Sequence, residues 1–171
     1  MTRFGGKVAV LTGAASGIGR ATAIRLAAEG ATVIGLDIDE TGLAGTGEAA
    51  GSMDAIVCDV ADRAACHAAV EQVVADHGRL DVFGNIAGIA GSQHVPDVTE
   101  ADWDRMVAVN LSGVFWCAQA AIPHLLAVDG VLINIASNAG LIGQAYTVPY
   151  CATKGAVVNM TRALAMEYAK T

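Results

Sequence analysis

The chain has 171 residues, 54% of them hydrophobic and 16% charged, with a formal net charge of −7. That length accommodates one domain around a single core, and the composition excludes a disordered chain. The acidic balance argues against a nucleic-acid partner, although backbone N–H groups can still hold the phosphates of one cofactor.

Short β-rich apolar runs alternate with longer helical patterns along the whole chain. Residues 7–12, between Gly6 and Gly13, form a first strand. Ser16 is placed to cap a helix running to about Gly30, with Ile18, Ala21, Ala23, Leu26 and Ala27 on its buried side. Residues 32–37 form a second strand, 39–52 a weak glycine-interrupted helix or a loop, and 55–58 a third strand. Asp62 begins a helix that Gly78 ends, and residues 80–85 are a fourth strand. After a loop over 88–98, Thr99-Glu100-Ala101-Asp102 resembles a capping box and opens a long helix to about Val128. Residues 131–135 are a fifth strand, 137–147 a loop, and a last helix runs from about Val148 to the C-terminus. No linker, repeat or low-complexity segment divides 1–171, so a single domain is expected.

Alternating strands and helices imply right-handed βαβ crossovers and a parallel sheet covered on both faces. The expected fold is α/β, a Rossmann-like doubly wound sheet in the order 3-2-1-4-5. Its ligand site then lies beyond the carboxyl ends of the first and fourth strands. The stretch 106–128 carries no acidic or basic side chain and is long enough to span a bilayer. Asn110, Ser112, Gln119, Pro123 and His124 interrupt it, which favours a buried helix and no membrane partner. Residues 1–7 hold no apolar run of the signal-peptide kind. Cys58, Cys66, Cys117 and Cys151 are scattered without metal-ligand spacing, so free thiols, a cytoplasmic setting and no metal are expected.

Gly13, Ser16, Gly17, Ile18 and Gly19 lie between the first strand and first helix. Glycines there allow a tight turn and close backbone approach to a pyrophosphate, while the helix N-terminus supplies donors. Asp37 ends the second strand, where an acid bonds ribose hydroxyls and repels a 2′-phosphate. Neither Ala14 nor Ala15 offers a cation, so NAD is favoured over NADP. Tyr150 and Lys154 are four residues apart on one helix face. A phenol holds its proton well above neutral pH, and a neighbouring ammonium favours the phenolate. Such a pair can exchange a proton with an alcohol or carbonyl while hydride moves, and Ser137 can donate to the same oxygen.

With these motifs the sequence resembles the classical short-chain dehydrogenase/reductase family along essentially its whole length. Thr12-Gly13 through Gly17-Ile18-Gly19 matches the family's glycine loop, and Asp59-Val60 matches its D-V pair. Asn85-Ile86-Ala87-Gly88 resembles its N-N-A-G motif with Ile86 in place of the second Asn. Asn110, Ser137, Tyr150 and Lys154 fall at the family's four catalytic positions.

The resemblance implies that Tyr150 is the acid/base and that Ser137 orients the carbonyl. Lys154 would bind the nicotinamide ribose, Asn110 would distort its helix to hold a relay water, and Asp59 would hold the adenine amino group. It implies cofactor contacts from Asn85, Ala87 and Gly88, with Asn85 and Gly88 also read as braces of the sheet. Hydride transfer between NAD(H) and a secondary alcohol or ketone is the implied activity. The alternatives are an inactive NAD-binding or regulatory module, or a reductase of 3-oxoacyl carrier-protein substrates, which normally uses NADPH. Family members usually continue into two more strands and a substrate lid, so a C-terminally incomplete domain is expected.

The remaining pocket walls would come from 88–98 and 138–147, including Ile142, Gln144 and Tyr146. These loops hold no Arg or Lys, which favours a small, neutral alcohol or carbonyl substrate. Val107, Val114, Phe115, Ala118, Val157, Met160 and Leu164 recur at helical spacing. By the resemblance, helices at about 100–128 and 148–171 would pair into a homodimer or homotetramer.

Overall fold

The computed structural model describes residues 2–169. Five strands, β1 (Val8–Thr12), β2 (Thr32–Asp37), β3 (Asp54–Val57), β4 (Val82–Asn85) and β5 (Val131–Asn134), form one parallel sheet. Their order is β3-β2-β1-β4-β5, the expected doubly wound arrangement. The central strand β1 is buried throughout, in register Val8↔Thr32 with β2 and Ala9↔Val82 with β4. Alternation along the strand divides its side chains between two cores. Val8 and Val10 join Phe83, Cys66, Val70, Cys117 and Leu125 on one face, while Leu11 joins Val33, Ala23 and Leu43 on the other.

Helices α1 (Gly17–Ala28) and α2 (Glu40–Ala50) supply the second of these cores. Helices α3 (Arg63–His77) and α5 (Gly113–Leu126) pack together over the first. The segment 39–52 proves to be a helix despite its glycines. Asp39 caps it by accepting from Gly42 N at 3.0 Å, and Leu43 and Thr46 are buried. The Thr46 hydroxyl also donates to Ala14 O at 2.9 Å, so tertiary contacts supply what local propensity lacks. Helix α3 starts and stops as expected, with Asp62 as its cap and Gly78 in the left-handed region at its end.

Two expectations for α1 are corrected. The Ser16 side chain makes no capping bond, and neither Ile18, 62% exposed, nor Ala21 lies on the buried side. The first turn of α1 faces a cleft rather than the core, so helical periodicity alone misplaces its apolar face.

The long helix after Thr99 is also not uniform. Thr99 Oγ1 accepts from Asp102 N at 3.1 Å to start α4 (Glu100–Val107), and a π segment, Ala108–Ser112, connects α4 to α5. Glu100–Leu126 as a whole is long and apolar enough to cross a bilayer by length and composition. In the fold its Val114, Cys117, Ala118, Ala121 and Leu125 are instead buried in the domain interior. Helix α6 (Val148–Glu167) packs on α4, on the π segment and on a short 3-10 turn, Asn138–Gly140. The expected continuation of α6 into Lys170 and Thr171 lies outside the described residues. The four cysteines are free.

Candidate active site

The glycine turn depends on two close approaches. Gly13 has φ +69°, and a Cβ there would lie 2.9 Å from Ala87 N; a Cβ on Gly19 would lie 2.0 Å from Gly13 O. Only glycine lets the β1–α1 turn nest against both the β4 loop and its own helix. Thr12, buried at the end of β1, fastens that nest: its Oγ1 accepts from Ile86 N at 2.9 Å and Ala87 N at 3.0 Å. The Asp37 carboxylate ties in the other side, accepting from Ala15 N at 3.0 Å and Asp39 N at 3.1 Å.

Beyond these strand ends lies a cleft of ≈ 530 Å³. Gly13, Ser16, Gly17, Ile18, Gly19, Asp37, Asp59, Val60, Ala87 and Gly88 all line it, joined by Ile89, Arg105, Ala108 and Val109. Asp59 is exposed and accepts from Ala61 N at 2.9 Å, while Asp62 takes the capping role at α3. The glycine turn, the two carboxylates and the apolar Val60 and Val109 suit a nicotinamide dinucleotide.

Asn85 does not line this cleft. Its buried amide donates to Val114 O at 3.3 Å and to Asn134 Oδ1 at 2.9 Å, and Asn134 in turn donates to Thr161 Oγ1 at 2.9 Å. That chain braces β4, β5, α5 and α6 behind the site.

Lys154 is 4% exposed and donates from Nζ to Ile135 O at 2.7 Å. Burial pushes its ammonium pKa below the ordinary lysine value. Its Nζ stands 5.9 Å from the centroid of the half-buried Tyr150 ring. Asn110 is fully buried at the centre of the π segment, where its amide both accepts from Ile89 N and donates to Ile89 O, each at 2.8 Å. A Cβ on Gly88 would lie 3.2 Å from Asn110 Oδ1 and 3.5 Å from Lys154 Nζ, so Asn110 and Lys154 meet directly behind Gly88, which lines the cleft while they do not.

Ser137 is half-buried and caps the 138–140 turn, accepting from Ala139 N at 3.1 Å. That turn is pressed onto α6 at Lys154, since a Cβ on Gly140 would lie 2.6 Å from Lys154 O.

A second cavity of ≈ 410 Å³ adjoins the cleft, sharing Ile89 and Arg105 with it. The loop over 88–98 and Tyr146 line it, as the sequence suggests, and Gln93 N donates to Tyr146 O at 2.7 Å. Ile142 and Gln144 do not line it. The expectation of walls without a cation is corrected as well. Asp102, Arg105 and Met106 enter from α4, which folds over the loop and which a count restricted to the loops overlooks.

The short chain dehydrogenase family model matches residues 7–171. Meso-2,3-butanediol dehydrogenase of Serratia marcescens is 39% identical over 168 residues, covering 97% of this chain and 67% of that protein. The 3-oxoacyl-[acyl-carrier-protein] reductase of Thermotoga maritima is 40% identical over 172 residues, covering 98% and 70% respectively. The crystal structure of NAD+-bound xylitol dehydrogenase superposes with a TM-score of 0.94 at 33% identity, covering 98% of this chain and 66% of that one. The chain thus spans about two thirds of the length of the curated relatives it matches.

Proposed function

The chain belongs to the short-chain dehydrogenase family, and from that premise we propose that it moves a hydride between NAD(H) and a secondary alcohol or ketone, with Tyr150 as acid/base. The observation that carries this reading is the meeting of Asn110 and Lys154 behind Gly88 in the wall of a glycine-lined cleft, with Tyr150 one helical turn from Lys154. When bound, the nicotinamide supplies the hydride acceptor or donor. The backbone N–H groups of 16–19 at the start of α1 hold the phosphates. Asp37 receives the ribose hydroxyls and repels a 2′-phosphate, which favours NAD over NADP, and Asp59 with Val60 receives the adenine.

Tyr150 takes the alcohol proton in oxidation and returns it to the carbonyl oxygen in reduction. Ser137 donates to that oxygen, and Lys154 holds the nicotinamide ribose while favouring the phenolate. The Asn110 side chain is committed to Ile89, so its part in proton relay falls to the backbone of the π segment it stabilises. The free, mostly buried thiols support a reducing, cytoplasmic setting.

Similarity to the Thermotoga maritima protein favours a second reading, a reductase of 3-oxoacyl thioesters. One assay separates the possibilities: NADH and NADPH oxidation over acyclic ketones and a 3-oxoacyl thioester, with wild type and Tyr150→Phe. The expected result is NADH-dependent ketone reduction that falls at least ~100-fold in the variant, with NADH fluorescence on binding retained. Binding without turnover of any carbonyl defeats the enzyme reading, and full activity in the variant defeats the role of Tyr150.

A further inference from the structure

Arg105 stands on the last turn of α4, in the wall shared by the cleft and the second cavity. Among the described residues its guanidinium has no ion-pair or hydrogen-bond partner, and it is the sole cation lining either space. A basic residue in the last turn of a helix usually complements the terminal carbonyls. That reason is missing here, because the hydrogen-bonded backbone runs on through the π segment into α5.

The two spaces offer this charge different surroundings. In the second cavity the neighbouring charge is Asp102, whose carboxylate accepts from Thr99 Oγ1 at 2.6 Å and from the Gln93 side chain. These donors hold its pKa below the usual carboxylate range, so an anionic substrate entering there meets a fixed negative charge. In the cleft, by contrast, the charged groups other than Arg105 are Asp37 and Asp59, both of which oppose a phosphorylated ligand. A pyrophosphate held by backbone dipoles in a chain of net charge −7 finds its countercharge among the lining residues only in Arg105, since the Lys154 ammonium lies behind Gly88 and donates to Ile135 O.

We propose that Arg105 is a cofactor-binding residue, a cation that recognises the phosphates of the dinucleotide in the cleft. The inference rests on the cofactor reading above and assigns α4 a share in holding the cofactor. It also leaves the second cavity to an uncharged substrate.

The test is direct titration of purified protein with NADH, followed by NADH fluorescence, for wild type, Arg105→Gln and Arg105→Lys. Adenosine, which carries no phosphate, and ADP-ribose, which carries two, serve as competitors. Because Arg105 is exposed, the variants are expected to melt with the wild type. Arg105→Gln should weaken NADH and ADP-ribose about 5- to 10-fold at low ionic strength and leave adenosine unchanged. The gap should narrow in ~0.5 M salt, and Arg105→Lys should recover part of it. Equal affinity of wild type and Arg105→Gln at both salt concentrations overturns the proposal, as does an equal loss for adenosine. An effect confined to the KM of anionic substrates overturns it too, by placing the charge in the second cavity. Failure of the wild type to bind NADH at all overturns instead the cofactor reading on which the proposal stands.

Discussion

Asn110 shows how one buried amide can fix a loop through the backbone. Its two bonds to Ile89 clamp the end of the β4 loop to the π segment, next to Gly88 and Lys154. Asn110→Ala leaves a backbone donor and a backbone acceptor without partners, at an expected cost of about 2–4 kcal/mol. A lowered urea midpoint and faster hydrogen exchange at the Ile89 amide would register that loss; unchanged exchange would show that the loop is held by other means. Tyr150 and Lys154 could be paired in the sequence because one helical turn separates them, and Ser137 stood out by its place after the fifth strand, whereas Asn110 was suggested only by the family resemblance. Thr12 and Arg105 could not be assigned roles in the same way. Thr12 matters through hydrogen bonds to residues 74 and 75 positions away, and Arg105 through a cavity wall that exists only once α4 folds over the 88–98 loop.

At the scale of elements, Asp81 joins the entries of β1 and β4. Its buried carboxylate accepts from Arg79 Nε at 2.7 Å, Lys7 Nζ at 2.8 Å and Val8 N at 3.0 Å. The Arg79 hydrogen bonds foremost, then Lys7 and the Val8 amide, hold its pKa far below the ordinary aspartate value. A depressed folded-state pKa means that this contribution is complete above the unfolded pKa, near ~4, and is lost as pH falls through the folded one. Asp81→Asn should therefore cost about 2–4 kcal/mol at pH 7, and its stability should fall less steeply than the wild type's below pH ~4. Parallel acid-unfolding curves for the two proteins would refute this. β1 starts at Val8 and β4 at Val82, one and two residues later than expected, with the Lys7–Asp81 ion pair at the two strand entries. Strand order was legible from the alternation of strands and helices, and the limits of α3 because Asp62 and Gly78 mark them. Helix α2 was legible only as a helix or a loop, since it depends on Leu43 and Thr46 reaching the core, and the π segment only as the distortion at Asn110 that the resemblance implied, since it depends on Asn110 reaching Ile89.

For the molecule as a whole, the question is which apolar surface remains to be covered. Of the residues that helical spacing offers for self-association, Val114, Ala118 and Val157 are buried within the domain and are removed from that role. Phe115 remains 39% exposed on α5, with Trp103 at 42% on α4 and Met166 at 82% on α6. A separate surface lies at the sheet edge, where Val131 and Ile133 of β5 are 52% and 46% exposed beside a groove lined by Leu126, Leu132 and Leu164. An unpaired apolar edge recruits strands, whereas exposed aromatics on long helices favour a closed helix–helix interface. We expect the helical face to drive a homodimer or homotetramer. Sedimentation velocity at micromolar concentration should show a discrete oligomer for wild type, conversion to monomer in Phe115→Glu, and no change in Ile133→Lys. The reverse pattern would move the association to β5, and a wild-type monomer throughout would leave the apolar helix faces serving the fold alone.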